Sequence, residues 1–300
     1  MANQEAKYIE HIEIKGLWGR YDVDWQLNPD VNILVGENGT GKSTIFNIAL
    51  QAIEKCGDIL KKDNLINFKQ EGWIDNAKIS FKPTSFIPFN SKNNGIQKDS
   101  NDILIPKIYH IQTFDTYLNV SDLDKNFNKN LYTQLDFNLN EKIDEFVNYQ
   151  LDQTKKIINQ KIDATLVFAK IRYFIDTVNR LFVNTDKVVD ENENRIVFIL
   201  DSKDKIDANQ LSSGEKQLLI ILLTVLCQDE KPSILLLDEP EISLHFSWQY
   251  ELINIIRTLN SNCQLIIITH STSIFTKGWM DKIFFMTGKE GILHPIAEKV

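Results

Sequence analysis

The residues best equipped for chemistry come early, at Gly36-Glu37-Asn38-Gly39-Thr40-Gly41-Lys42-Ser43-Thr44. Glycines at 36, 39 and 41 let the backbone curl until several N–H groups point at one centre, which suits an anion. Lys42 adds a cation long enough to reach β- and γ-phosphates, and the Ser43 hydroxyl is a hard oxygen suited to Mg²⁺. A helix starting at Lys42 would turn its partial positive end toward the same centre. The loop therefore needs a buried strand before it and a helix after it. The apolar run Val31-Asn32-Ile33-Leu34-Val35 and the stretch Ile45-Phe46-Asn47-Ile48-Ala49-Leu50 supply both. From average residue usage, the pattern arises by chance in a chain this long with a probability on the order of one in a hundred. The flanking elements lower that further, and the reading is nucleotide binding.

Two carboxylates, Asp238 and Glu239, close the apolar run Ile234–Leu237 and are followed by Pro240. At the C-terminal edge of a parallel sheet they would lie beside the phosphate loop. Asp238 suits a Mg²⁺ contact, and Glu239 suits polarising an attacking water. His270 ends the next apolar run, Leu265–Ile268 followed by Thr269, where it could contact the terminal phosphate. Ser212 followed three residues later by Glu215 is a capping box opening a long apolar helix. The Ser212-Ser213-Gly214 turn is also a helix N-terminus able to serve a second γ-phosphate.

These groups must be held by a particular set of elements. Residues 8–15 and 21–27 alternate apolar and polar as antiparallel strands do, turning at Gly16-Leu17-Trp18-Gly19. Trp18 or Tyr21 could stack on a base, or simply pack. Helix 42–56, a polar stretch to about Gln70, a strand at 73–81, a mobile loop at 83–102 and a strand over 103–112 ending at Gln112 follow. From Ile143 to Phe182 apolar positions recur at helical spacing through Phe146, Leu151, Ile158, Ile162, Leu166, Phe174 and Val178, and 141–184 hold no Gly or Pro. One or two helices are expected there. A hairpin follows at 187–189 and 195–200. The sequence then alternates again: helix 213–228, buried strand 233–237, helix 247–259, buried strand 264–269 and closing strands at 282–286 and 291–296. Continuous apolar strands between helices imply a largely parallel sheet covered on both faces.

Length and composition bound the rest. The 300 residues can bury a substantial core, with 43% hydrophobic and 25% charged residues. No apolar run approaches the roughly 20 residues a membrane helix needs. Residues 1–7 lack a signal-peptide core, and Cys56, Cys227 and Cys263 are far apart, so the expectation is a cytoplasmic chain with reduced thiols. A net charge of −8 leaves no global basic footprint for nucleic acid, though a local patch is compatible with it.

Taken together, the motifs resemble those of ATP-binding-cassette ATPases, and in their order: loop 36–44, Gln112 as the glutamine of the Q-loop, signature Leu211-Ser212-Ser213-Gly214-Glu215, Asp238-Glu239, and switch His270. The resemblance covers roughly residues 8–120 and 186–298. It implies an α/β fold, a P-loop head with a mixed, mostly parallel sheet, an antiparallel N-terminal β subdomain and a helical insertion. The expected divisions are 1–120, 121–185 and 186–300. It implies ATP and Mg²⁺ as cofactors. The nucleotide would lie on residues 36–44, Gln112, and Ser212, Ser213 and Gly214. The metal would lie on Ser43, Asp238 and Gln112, with Glu239, His270 and Lys42 catalytic. It further implies a homodimer in which the signature of one subunit closes over ATP held by the other.

The Ser-Ser-Gly-Glu signature and Pro240-Glu241-Ile242-Ser243-Leu244-His245 differ from the usual transporter forms and look like the RecF, SMC and OLD-type branch. Many short members of that branch serve DNA maintenance or phage defence. The expected role is ATP-driven sensing or clamping of DNA, or control of an effector. Because the chain ends at Val300, directly after the closing strands, a nuclease or toxin activity is expected in a separate partner. The alternative is the nucleotide-binding subunit of a membrane transporter.

Overall fold

The computed structural model describes residues 4–56, 74–82, 85–88, 103–113, 133–160, 162–287 and 293–295. The chain divides into two compact units, residues 1–112, 231–240 and 262–300, and residues 113–230 and 241–261. The first opens with β1 (Gln4–Glu5), β2 (Tyr8–Leu17), β3 (Tyr21–Gln26), β4 (Val31–Gly36) and α1 (Lys42–Cys56). It continues with β5 (Asn76–Lys82), β6 (Ser85–Pro88), β7 (Ile103–Leu104) and β8 (Lys107–Gln112). The second unit takes α2 (Gln134–Gln160), α3 (Ala164–Val167), α4 (Ala169–Leu181), β9 (Lys187–Val189), β10 (Val197–Leu200), β11 (Lys205–Asp207) and α5 (Ser213–Leu226). The chain returns to the first unit for β12 (Ser233–Asp238), and α6 (Phe246–Leu259) belongs to the second. β13 (Cys263–Ile268), β14 (Ile283–Met286) and β15 (Leu293–Pro295) complete the first.

In the first unit, six strands run in the order β15-β14-β4-β13-β12-β8, all parallel except β15. The central strands β4, β12 and β13 are buried at almost every position, so their sequences read as unbroken apolar runs. A second sheet, β3-β2-β5-β6, is antiparallel, and its strands alternate because one face is solvated. Its inward residues Ile12, Ile14, Trp25 and Phe81 join Phe46 of α1 and Leu236, Ile266 and Phe284 of the parallel sheet in one core. Trp25 meets Phe284 edge-on, with ring centroids 5.7 Å apart. The buried Gln264 accepts from the Ile9 N–H at 2.9 Å and donates to the carbonyls of Ile9 and Asn28 at 2.8 Å each. A buried amide so satisfied pins β13 to the antiparallel sheet.

The second unit packs helices around α5. Residues Gln217 to Leu226 of α5 are buried on every side, which is why the helix shows no polar stripe. Helices α2 and α4 both pack on α5, α2 burying Leu139, Ile143, Phe146 and Tyr149 and α4 burying Ile171, Phe174, Val178 and Leu181. Lys216 of α5 pairs with the buried Asp136 of α2 at 2.7 Å. Strands β9, β10 and β11 form an antiparallel sheet.

The structure amends several expectations. Residues 85–88, read as loop because of the nearby prolines, form β6 and pair with β5; residues 83–84 and 89–102 of that loop, and 57–70 of the polar stretch, lie outside the described residues. Residues 103–112 make two strands, β7 and β8, because Pro106 cannot continue a ladder. β11 escaped detection because Lys205-Ile206-Asp207 carries one apolar residue. Not all of the helical apolar positions are core: Leu151, Ile158, Ile162 and Leu166 are exposed, the second and fourth of them by 71%. Cys227 and Cys263 are not joined in a disulfide.

Candidate functional site

The phosphate loop starts where β4 leaves the sheet. Gly36 is level with Met286 of β14, and a Cβ at Gly36 would sit 2.4 Å from the Met286 carbonyl oxygen, so only glycine fits. Gly39 and Gly41 have φ of +75° and +98°, the left-handed region closed to most side chains. Glu37, Asn38 and Gly39 are exposed, and Thr40 and Gly41 are buried. The Thr40 hydroxyl donates to the Glu37 carbonyl at 2.9 Å, and the Tyr21 hydroxyl donates to the Thr40 carbonyl. The Trp18 ring lies against Gly41. Both aromatics brace the loop from the β2–β3 hairpin. Lys42 is 5% exposed, and its ammonium donates to the carbonyls of Gly36 at 2.9 Å and Glu37 at 2.8 Å. Ser43 and Thr44 follow in the first turn of α1, both half-buried.

Parallel register brings four more candidates, Gln112, Asp238, Glu239 and His270, to the same edge. Asp238 at the end of β12 is level with Gln112 at the end of β8 and with Ile268 at the end of β13. The Ser43 hydroxyl donates to Asp238 Oδ1 at 3.3 Å. Glu239 follows with φ +50°, and its N–H donates to the Ile268 carbonyl at 2.9 Å. A left-handed glutamate costs about 1–2 kcal/mol, and the surrounding strands hold it there. This turn aims the side chain at His270, whose Nε2 is 3.6 Å from Glu239 Oε1.

Ser212, Ser213 and Gly214 belong to the second unit. Ser212 caps α5, and the capping box with Glu215 is present in full. Gly214 is glycine for a steric reason, since a Cβ there would lie 2.4 Å from the Ser243 carbonyl oxygen. Sequence reasoning missed the partners of Glu215. Lys187 Nζ lies 2.8 Å and Thr185 Oγ1 2.9 Å from its Oε1. Burial pushes the Glu215 carboxyl upward, but Lys187, Ser212 and Thr185 outweigh it and hold the group below the usual carboxylate range. A buried glutamate inside a signature was the one available hint.

Residues 88–276 match the family described as "AAA domain, putative AbiEii toxin, Type IV TA system", more than half of the chain. The chain belongs to that family. Its fold is that of an SMC-type ATPase head. It aligns with an SMC head solved bound to the C-winged helix domain of ScpA at a TM-score of 0.55 and 18% identity, over 98% of this chain and 100% of that one. An SMC head domain from Thermotoga maritima aligns at 0.46 and 18%, over 96% and 98% of the two chains. In sequence the chain is 32% identical, over 93 residues, to a probable metal transport system ATP-binding protein of Chlamydia muridarum (strain MoPn / Nigg). That stretch is 31% of this chain and only 37% of the relative.

The site of this AAA-domain protein fits ATP with Mg²⁺. Its loop has Gly39 and Gly41 in the left-handed region, the conformation by which successive amides can face one anion, and Gly39 has open space where a Cβ would be. Lys42 is tethered by loop carbonyls that a phosphate would displace as its partner. Ser43 and Asp238 set two hard oxygens 3.3 Å apart, the donor set Mg²⁺ takes beside a phosphate.

Proposed function

We propose that this ABC/SMC-like ATPase binds and hydrolyses ATP with Mg²⁺ as a head-to-tail homodimer in the cytoplasm. Closure of the dimer is then coupled to sensing or clamping DNA, or to control of a separate effector, a nuclease or toxin, in DNA maintenance or phage defence. The observation that carries the reading is the convergence of Lys42, Ser43, Gln112, Asp238, Glu239 and His270 at one end of a parallel sheet. In this scheme the amides of residues 36–44 and Lys42 bind the β- and γ-phosphates, while Ser43, Asp238 and Gln112 hold the metal. When bound, Mg²⁺ supplies charge neutralisation on the phosphate oxygens. Glu239 accepts a hydrogen bond from the attacking water and orients it. His270, on the same side as Glu239 Oε1, donates toward the γ-phosphate and fixes the carboxylate's direction. Ser212, Ser213 and Gly214 of the second subunit supply the remaining donors from a helix N-terminus, so neither subunit is complete alone.

A second reading, the nucleotide-binding subunit of a transporter, draws on the name of the Chlamydia relative. No helix among the described residues is long and apolar enough to cross a membrane, so that reading needs a separate membrane subunit. The shared stretch of 93 residues is too short to span Lys42 to His270 of this chain, and the signature type favours the first reading.

Glu239→Gln with saturating ATP and Mg²⁺ is expected to elute as a stable dimer in size-exclusion chromatography. Ser212→Arg is expected to bind ATP yet fail to hydrolyse it. A Glu239→Gln protein that stays monomeric, or normal turnover by Ser212→Arg, refutes the composite site. Retrieval of a membrane permease rather than an effector or DNA with trapped Glu239→Gln would favour the second reading.

A further inference from the structure

A capping box needs only one carboxylate oxygen. In Glu215 that oxygen is Oε2, which accepts from the Ser212 N–H at 2.9 Å and from the Ser212 hydroxyl at 2.8 Å. The other oxygen faces a different part of the chain. Oε1 accepts from Lys187 Nζ and Thr185 Oγ1, both within six residues of Leu181, the last residue of α4. Glu215 is 2% exposed and Lys187 17%, so this is a shielded charge pair rather than a surface one.

The same place is locked by packing. Phe182 lies between Phe198 and Trp248, with ring centroids 5.6 Å from each. Trp248 Nε1 donates to the Leu181 carbonyl at 3.1 Å. The first turn of α5 is in turn pressed on the segment before α6, where Gly214 admits the Ser243 carbonyl. The exit of α4, the start of α6 and the signature turn therefore form one block with no slack inside it.

We propose that Lys187, assisted by Thr185, is a positioning residue that ties the exit of α4 to the signature serine through Glu215. A shift of the helical insertion α2–α4 is then transmitted to the face that closes over ATP. The inference rests on the composite site proposed above and adds to it a route by which the insertion, when a partner engages it, sets turnover. Physically, Lys187 is the only cation within ion-pair distance of Glu215 among the described residues. Without it the buried carboxylate loses its charge partner, takes up a proton or rotates, and Ser212 loses the acceptor that fixes its hydroxyl.

The test compares Lys187→Met, Lys187→Arg and Thr185→Val in three assays: binding of a fluorescent ATP analogue with Mg²⁺, kcat and KM for hydrolysis, and ATP-driven dimerisation in the Glu239→Gln background. Lys187→Met is expected to bind nucleotide within twofold of wild type while kcat falls at least tenfold and the dimer is lost. Lys187→Arg should recover kcat to within about threefold, because it restores the charge and the donor. Wild-type kcat in Lys187→Met, in a series where Ser212→Arg is inactive, overturns the proposal and leaves the composite site standing. Normal turnover by Ser212→Arg removes the composite site and this inference with it. Should Lys187→Met not fold, Thr185→Val decides: a threefold or larger loss of kcat with unchanged nucleotide binding supports the coupling, and an unchanged kcat overturns it.

Discussion

Glycine positions in this protein are of different kinds, and the difference predicts what substitution does. Gly39 and Gly41 are required by backbone conformation, whereas Gly214 is required by a neighbour's carbonyl. Gly36 meets the backbone of Met286, which no side-chain rotation can relieve. Gly36→Ala must therefore move β4 relative to β14 or distort the loop. We expect a loss of about 1–3 kcal/mol by urea denaturation, as overpacking costs in a tight core. ATP-analogue affinity should fall at least tenfold in the same variant. A Gly36→Ala protein with wild-type stability and affinity would show that the loop does not depend on this close approach. Glu239 illustrates the reverse, a non-glycine held at φ +50° where the backbone resists it.

At the scale of elements, parallel pairing does the positioning. Because β12 is flanked in register by β8 and β13, the last residues of three distant segments reach one line without any sequence motif linking them. Helix α4 ends differently, in the aromatic cluster of Phe182, Phe198 and Trp248. Phe182 is fully buried, so Phe182→Ala leaves a cavity between two rings. Its expected cost is about 3–5 kcal/mol. Denaturant titration should show a lower midpoint with an unchanged slope. Destabilisation under 1 kcal/mol would mean that the cluster collapses around the gap and is not the rigid block described above.

For the whole molecule, the proposed division of the site between subunits has the widest consequence. If so, activity is a property of the dimer, and its population depends on concentration. Specific ATPase activity should rise with protein concentration across two orders of magnitude and level off when dimer predominates. A flat profile over that range, with monomer seen in parallel by light scattering, would assign hydrolysis to the single chain. The acidic total of −8 makes any DNA contact a local affair, with salt dependence set by few phosphate contacts.

The residues of the candidate nucleotide site were legible in the sequence because their requirements are local. A glycine loop needs a strand before it and a helix after it, and a capping box needs serine and glutamate three apart. Apolar runs such as Leu235–Leu237 and Leu265–Ile268 declared buried parallel strands for the same reason: burial on both faces leaves no room for alternation. Strand order, register and side-chain partners were not legible, because they join residues far apart in the chain. Nothing near Gln112 announces that it lies level with Asp238, and nothing near Lys187 announces Glu215. The exposed Ile158 and Leu166 make the same point from the other side, since helical periodicity says which residues share a face and not what covers it. Sequence alone determined the chemistry available; the tertiary structure decided which groups meet, because only folding converts separation along the chain into distance.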